Sequence, residues 1–119
     1  MPHAPRFERL ANEAKSRVKQ VSPREAHAQH AGGAVLIDVR ESEEFQKGHA
    51  AGATPLSRGI LELKIESVVP DPATPIICYC GGGSRSALAA ESIQKMGYTN
   101  VASLTTGFKG WKQEGLPTE

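Results

Sequence analysis

Residues 75–90 read Pro75-Ile76-Ile77-Cys78-Tyr79-Cys80-Gly81-Gly82-Gly83-Ser84-Arg85-Ser86-Ala87-Leu88-Ala89-Ala90. A short apolar run, then three glycines, then a helix-forming segment closed by Gly97 predicts buried strand, tight loop and helix in direct succession. That order sets the Cys80 thiol at the mouth of a ring of backbone N–H groups, where a helix begins. Such a place attracts anions, because the first N–H groups of a helix lack partners and carry partial positive charge. A cysteine reacts as its thiolate, so the setting suits a nucleophile. A purely structural thiol would belong inside the strand, as Cys78 does.

Working outward, Ala34-Val35-Leu36-Ile37-Asp38-Val39 is a continuous apolar run between glycines and a charge, the pattern of a buried parallel strand. Residues 40–47 predict a short helix stopped by Gly48, and residues 53–56 a small strand. A helical piece from Ile60 to Val69 ends at Pro70-Asp71-Pro72, residues 101–104 form another strand, and a last amphipathic turn surrounds Phe108 and Trp111. Ser22-Pro23-Arg24-Glu25 is a helix start, with serine at the N-cap, proline behind it and glutamate completing a capping box. Upstream, Phe7, Leu10, Ala11, Ala14, Val18 and Val21 share one stripe at helical spacing, so residues 7–21 predict an amphipathic helix. Strands alternating with helices imply parallel crossovers, hence an α/β fold with helices on both faces of a mostly parallel sheet.

Composition narrows the function. The 119 residues suffice for one domain with one core. A net charge of +1 gives no basic face for nucleic acid, and no apolar stretch reaches the length of a membrane span. The N-terminal residues show no apolar leader, so the expected location is cytoplasmic. The two cysteines, Cys78 and Cys80, are badly spaced for a mutual disulfide, which fits a reducing compartment. A Cys-x-Cys pair needs two further ligands for zinc, and His3, His27, His30 and His49 supply no second pair with ligand spacing. His27 and His30 are expected on an exposed helix face. No metal and no cofactor are expected.

In the loop itself, glycines at 81, 82 and 83 allow positive φ and keep side chains away from an incoming anion. Successive N–H groups can then form an anion nest. Arg85 adds a permanent charge, and Ser84 or Ser86 can cap the helix or donate to an oxyanion.

Cys80-Gly81-Gly82-Gly83-Ser84-Arg85-Ser86 resembles the C-x-x-G-x-R-S loop of rhodanese-type sulfurtransferases. The segments Ile37-Asp38-Val39-Arg40-Glu41, Glu44-Phe45, Gly48-His49, Gly52-Ala53, Gly97-Tyr98, Asn100-Val101 and Gly107 with Trp111, Gly115 and Pro117 resemble the rest of that family's pattern. Ala50 and Ala51 depart from it, as does Thr106 before Gly107. The resemblance implies a three-layer α/β/α fold on a five-stranded sheet, with residues 21–118 as the domain; residues 1–20 are an amphipathic helical extension that it does not explain. It also implies double displacement on Cys80, whose thiolate takes the outer sulfur of thiosulfate as a persulfide and passes it to cyanide or a thiol.

Substrate binding is then expected from Gly81, Gly82, Gly83, Ser84, Arg85 and Ser86. Arg85 either attracts the sulfonate end or ties the loop to its surroundings. Arg58 is a candidate guide at the mouth of the site. Asp38 and Arg40 are expected to form a structural ion pair, His49 to steady a turn, and Trp111 to plug the core. The implied partners are a small anionic sulfur donor and a protein sulfur donor or acceptor, the chain being monomer or homodimer.

Two other chemistries fit a cysteine loop. One is a relay that hands persulfide between protein partners, and Arg58-Gly59-Ile60-Leu61-Glu62 resembles a segment of rhodanese-like domains attached to sulfur-carrier activating enzymes. The other is phosphatase or arsenate-reductase chemistry, which related folds perform with five residues between cysteine and arginine. Here only four separate Cys80 from Arg85, so the pocket should be too tight for a tetrahedral phosphate or arsenate.

Overall fold

A computed structural model describes residues 3–119. Its sheet has five strands among the described residues: β1 (Lys19–Val21), β2 (Val35–Asp38), β3 (Thr54–Pro55), β4 (Ile76–Tyr79) and β5 (Val101–Leu104). They lie in the order β1-β5-β4-β2-β3, and every pairing is parallel. Between them run α1 (Pro5–Arg17), α2 (Pro23–Ala31), α3 (Ser42–Lys47), α4 (Leu61–Val68), α5 (Ser84–Lys95) and α6 (Gly107–Gln113).

The central strands are apolar because both faces are covered. In β4, Ile76 and Cys78 pack with Ala14 of α1, Leu61 and Ile65 of α4, and Ala87 and Ile93 of α5. Ile77 and Tyr79 face the other way, toward Ala26 of α2 and Phe108 and Trp111 of α6. The result is the three-layer α/β/α arrangement. Trp111 is 1% exposed and its indole N–H donates to the Pro117 carbonyl at 2.8 Å, so it does plug the second layer. Ala11 and Ala14 bury α1 against α5, and Arg17 reaches Glu91 of α5 at 3.1 Å.

The N-terminal helix is shorter than its apolar stripe suggests. It stops at Arg17, Val18 is extended, and Lys19–Val21 pairs with Ala102–Leu104 as β1. In β1 only Val21 is buried, so this edge strand has no alternation to announce it. Pairing to the backbone of β5 decides its conformation, not side-chain pattern. Lys19 and Gln20, read as the end of the extension, therefore lie in the sheet, while Met1 and Pro2 of that extension lie outside the described residues.

Helix α2 starts as expected. Ser22 Oγ accepts the Glu25 N–H at 3.2 Å, and the Glu25 carboxylate accepts the Ser22 N–H at 2.9 Å. His27 and His30 are half-buried, not exposed: His27 sets its ring edge-on to Trp111, and His30 Nδ1 lies 2.8 Å from the Ala34 carbonyl. His27 thus packs on α6 and His30 on the turns at Ala34 and Gly52, so their spacing reflects packing.

One topological feature positions the site. From β2 the chain moves outward to β3, whereas from β4 it moves the opposite way to β5. The C-terminal ends of β2 and β4 therefore open a crevice between diverging connections, the place where open α/β sheets bind ligands. Asp38 ends β2 and Cys80 follows β4.

Candidate active site

Cys80 leaves β4 and the chain turns through Gly81, Gly82 and Gly83 into α5, whose first residue is Ser84. The sulfur is held inside this turn, with the residue 2% exposed. The Gly83 N–H donates to Sγ at 3.1 Å and the Ser86 N–H at 3.4 Å. The N–H groups of Gly81, Gly82, Ser84 and Arg85 have no acceptor among the described residues. A sulfur at the centre of such a ring has donors aimed at it and donors to spare for whatever joins it.

The three glycines do different things. Only Gly83 adopts positive φ, at 106°, and a Cβ there would run into the Thr105 carbonyl. Gly81 and Gly82 keep ordinary φ, contrary to the expectation that all three would need glycine's freedom. At Gly82 a Cβ would meet nothing within 4 Å, so that position is open toward solvent. Behind the loop, the Phe108 N–H donates to the Cys80 carbonyl at 2.7 Å and the Lys109 N–H to the Gly81 carbonyl at 3.2 Å. Gly107 has φ of 63° and leaves no space for a Cβ beside those carbonyls.

Neither serine caps α5. Gly83 occupies the N-cap and Ser84 is the first helical residue. Ser86 is buried, its Oγ 3.5 Å from Cys80 Sγ and 2.8 Å from Ser103 Oγ of β5.

Arg85 is committed to Glu44 of α3 through two parallel bonds of 2.9 and 3.1 Å. Glu44 Oε1 also accepts the Glu41 N–H at 3.1 Å, which fixes it at the start of its own helix. The bond from Arg85 holds the Glu44 carboxyl below its usual range, and the same bond raises Arg85 further. Of the two roles open to Arg85, the geometry is that of a tie. Arg58 bonds Glu62 at 2.8 Å and Ser92 Oγ at 3.2 Å, linking α4 to α5.

The remaining groups are framework. Asp38 is fully buried and takes Arg40 Nε at 3.0 Å and Nη2 at 2.8 Å, while Nη2 also reaches the Gly48 carbonyl at 2.7 Å. The Arg40 guanidinium lies 4.6 Å from the Phe108 ring centre, a cation–π contact that ties the β2 loop to α6. His49 stacks on Phe45 and its Nδ1 lies 2.9 Å from the Phe45 carbonyl, which steadies the turn after α3. Burial pushes the Cys78 thiol up to about 12, so it stays protonated in the first layer.

Sequence reasoning brought the whole Cys80–Ser86 loop together but missed two contributors. Glu44 stands 41 residues from its arginine, and no local pattern links them. Ser103 carries a signal of its own, a polar residue inside the buried strand Val101–Leu104.

Comparison with known proteins agrees with this fold. Residues 22–114 match the family model of the rhodanese-like domain. The thiosulfate sulfurtransferase GlpE of Pseudomonas entomophila is 36% identical over 97 residues, 82% of this chain and 87% of the relative. The polysulfide-sulfur transferase homodimer of Wolinella succinogenes superposes with a TM-score of 0.83 at 28% identity, over 95% of this chain and 86% of that one. A Rhodopseudomonas palustris protein of unknown function, described as a possible tyrosine phosphatase, superposes with a TM-score of 0.84 at 33% identity, over 100% and 99% of the two chains.

Proposed function

The chain belongs to the rhodanese-like domain family, and on that premise we propose that it is a thiosulfate sulfurtransferase that carries sulfur on Cys80. The thiolate attacks the outer sulfur of thiosulfate, the sulfur–sulfur bond breaks, and sulfite leaves with the electron pair. The product is a Cys80 persulfide. Cyanide or an acceptor thiolate then attacks the outer sulfur of that persulfide, and the Cys80 thiolate is restored.

One observation carries the reading. The Cys80 sulfur already receives the Gly83 and Ser86 N–H groups, while those of Gly81, Gly82, Ser84 and Arg85 are free to receive the anionic substrate and the outer sulfur. Arg85 acts as the loop's tie to Glu44 and adds a screened positive field. Arg58 steadies α4 on α5 through Glu62 and Ser92.

A small anionic donor suits this ring of neutral donors, and two free thiols suit a reducing compartment, so we place the protein in the cytoplasm. Phosphate chemistry fits less well. Four residues separate Cys80 from Arg85, and Arg85 already spends both its Nη groups on Glu44. Aryl phosphates should therefore remain unhydrolysed.

The test is intact-mass measurement after incubation with thiosulfate. One sulfur atom should appear on the peptide bearing Cys80, leave on addition of cyanide, and be missing in Cys80→Ala. Sulfur on Cys78, or on neither cysteine, overturns the proposal.

A further inference from the structure

Two hydroxyls lie buried behind the nucleophile. Ser86 and Ser103 are both 0% exposed, and their oxygens are 2.8 Å apart. Cys80 Sγ, Ser86 Oγ and Ser103 Oγ form a row that starts at the sulfur and stops at β5. Neither hydroxyl meets another polar partner among the described residues. Ser103 is opposite Cys78 in the β4–β5 pairing, so its position is set by the sheet.

Counting protons along this row shows what it prefers. With the sulfur anionic, Ser103 donates to Ser86 and Ser86 donates to sulfur, and each O–H has an acceptor. With the sulfur protonated and donating to Ser86, two O–H groups remain for one place between the serines. One hydroxyl proton is then stranded in the core, or Ser86 must lean on neutral sulfur, which accepts weakly. A buried donor without an acceptor is costly, so the row is complete only with the anionic nucleophile.

We propose that Ser103 is a positioning residue for sulfur transfer, whose buried hydroxyl turns Ser86 so that Ser86 donates to the Cys80 sulfur. The inference rests on Cys80 being the sulfur carrier. The charge that acts on Cys80 is Arg85 of α5, paired with Glu44 of α3; Arg58, ahead of α4 and paired with Glu62, acts on the neighbouring β4 thiol, Cys78. None of these contacts Ser103 through a hydrogen bond, so changing Ser103 leaves them in place.

The experiment compares the full-length chain with Ser103→Thr and Ser103→Val, two side chains of similar shape that differ in the hydroxyl. The rate of Cys80 alkylation by iodoacetamide is followed against pH by mass spectrometry, beside single-turnover sulfur uptake from thiosulfate. The valine variant should react about three- to tenfold more slowly at neutral pH, the loss of the neutral Ser103–Ser86 bond that strengthens Ser86 as a donor, and regain the wild-type rate at alkaline pH. The threonine variant should keep the wild-type profile. In a Ser86→Ala background, Ser103→Val should add no further loss, because Ser103 acts through Ser86.

An unchanged alkylation profile in a folded valine variant overturns the proposal, as does an additive loss in the double variant. If Ser103→Val does not fold, Ser103→Ala takes its place with the same expectations. Failure of the wild-type chain to take up sulfur would sink the sulfurtransferase reading, while the alkylation profile would still test Ser103.

Discussion

Arg85 and Glu44 meet edge to edge, Nη1 to Oε1 at 2.9 Å and Nη2 to Oε2 at 3.1 Å, and so join the first turn of α5 to the first turn of α3. The contact is half-exposed, so solvent screens it to no more than about 1 kcal/mol. Its pH dependence has a definite sign. Arg85 holds the Glu44 carboxyl below the ordinary value of 4.5, so the stabilisation is complete above that value and is lost as pH falls through the lower, folded one. Glu44→Gln should thus lower the urea midpoint near neutral pH, and the gap from wild type should close below about pH 4.5. A gap that persists unchanged in acid would mean that the charge of Glu44 is not what holds the loop.

The loop glycines should separate on substitution. Gly82→Val places its side chain in open space, so the midpoint of unfolding should stay near wild type while sulfur uptake falls sharply at the blocked mouth. Gly83→Ala forces a side chain to positive φ and against the Thr105 carbonyl, which should cost about 1–3 kcal/mol of stability. Denaturation and thiosulfate turnover on both variants check the pair. Wild-type turnover in Gly82→Val would remove the case for an open mouth at that position.

Cys78 sits two residues from Cys80 yet should take no part in transfer. Burial keeps its thiol protonated, with a pKa pushed up to about 12. Cys78→Ala should retain near-wild-type sulfur uptake and lose about 1–2 kcal/mol of stability from the small cavity left behind. Abolished uptake in a folded Cys78→Ala protein would call for a second sulfur on the path.

Asp38 and Arg40 should matter for folding and not for chemistry. Removing one partner of a buried pair strands the other charge, and Asp38→Ala should cost about 3–5 kcal/mol. Calorimetry will show whether the loss is of that size. A cost below about 1 kcal/mol would place the pair among screened surface contacts instead.

Much of this site was legible because its signals are local. The β4 run, the glycines and the start of α5 are contiguous, and burial on both faces makes the strand apolar throughout. The capping box at Ser22 and Glu25 is likewise written within one turn. What stayed hidden depends on partners distant along the chain. The edge strand β1 exposes Lys19 and Gln20, so nothing in its pattern separates it from the helix before it. That residue 83 has no room for a Cβ is settled by the Thr105 carbonyl, 22 residues away, and the role of Arg85 by a carboxylate 41 residues away.

The two bonds from the start of α6 have a further effect. All peptide bonds described are trans, and in a trans peptide the C=O and the following N–H point in opposite directions. The Cys80 carbonyl shares its peptide plane with the Gly81 N–H, and the Gly81 carbonyl shares one with the Gly82 N–H. By drawing both carbonyls backward, Phe108 and Lys109 turn those two donors forward into the cradle. Helix α6 thus aims the proposed anion site, which none of its own N–H groups touches, and a rotation of that helix would misdirect the donors while leaving every residue of the loop in place.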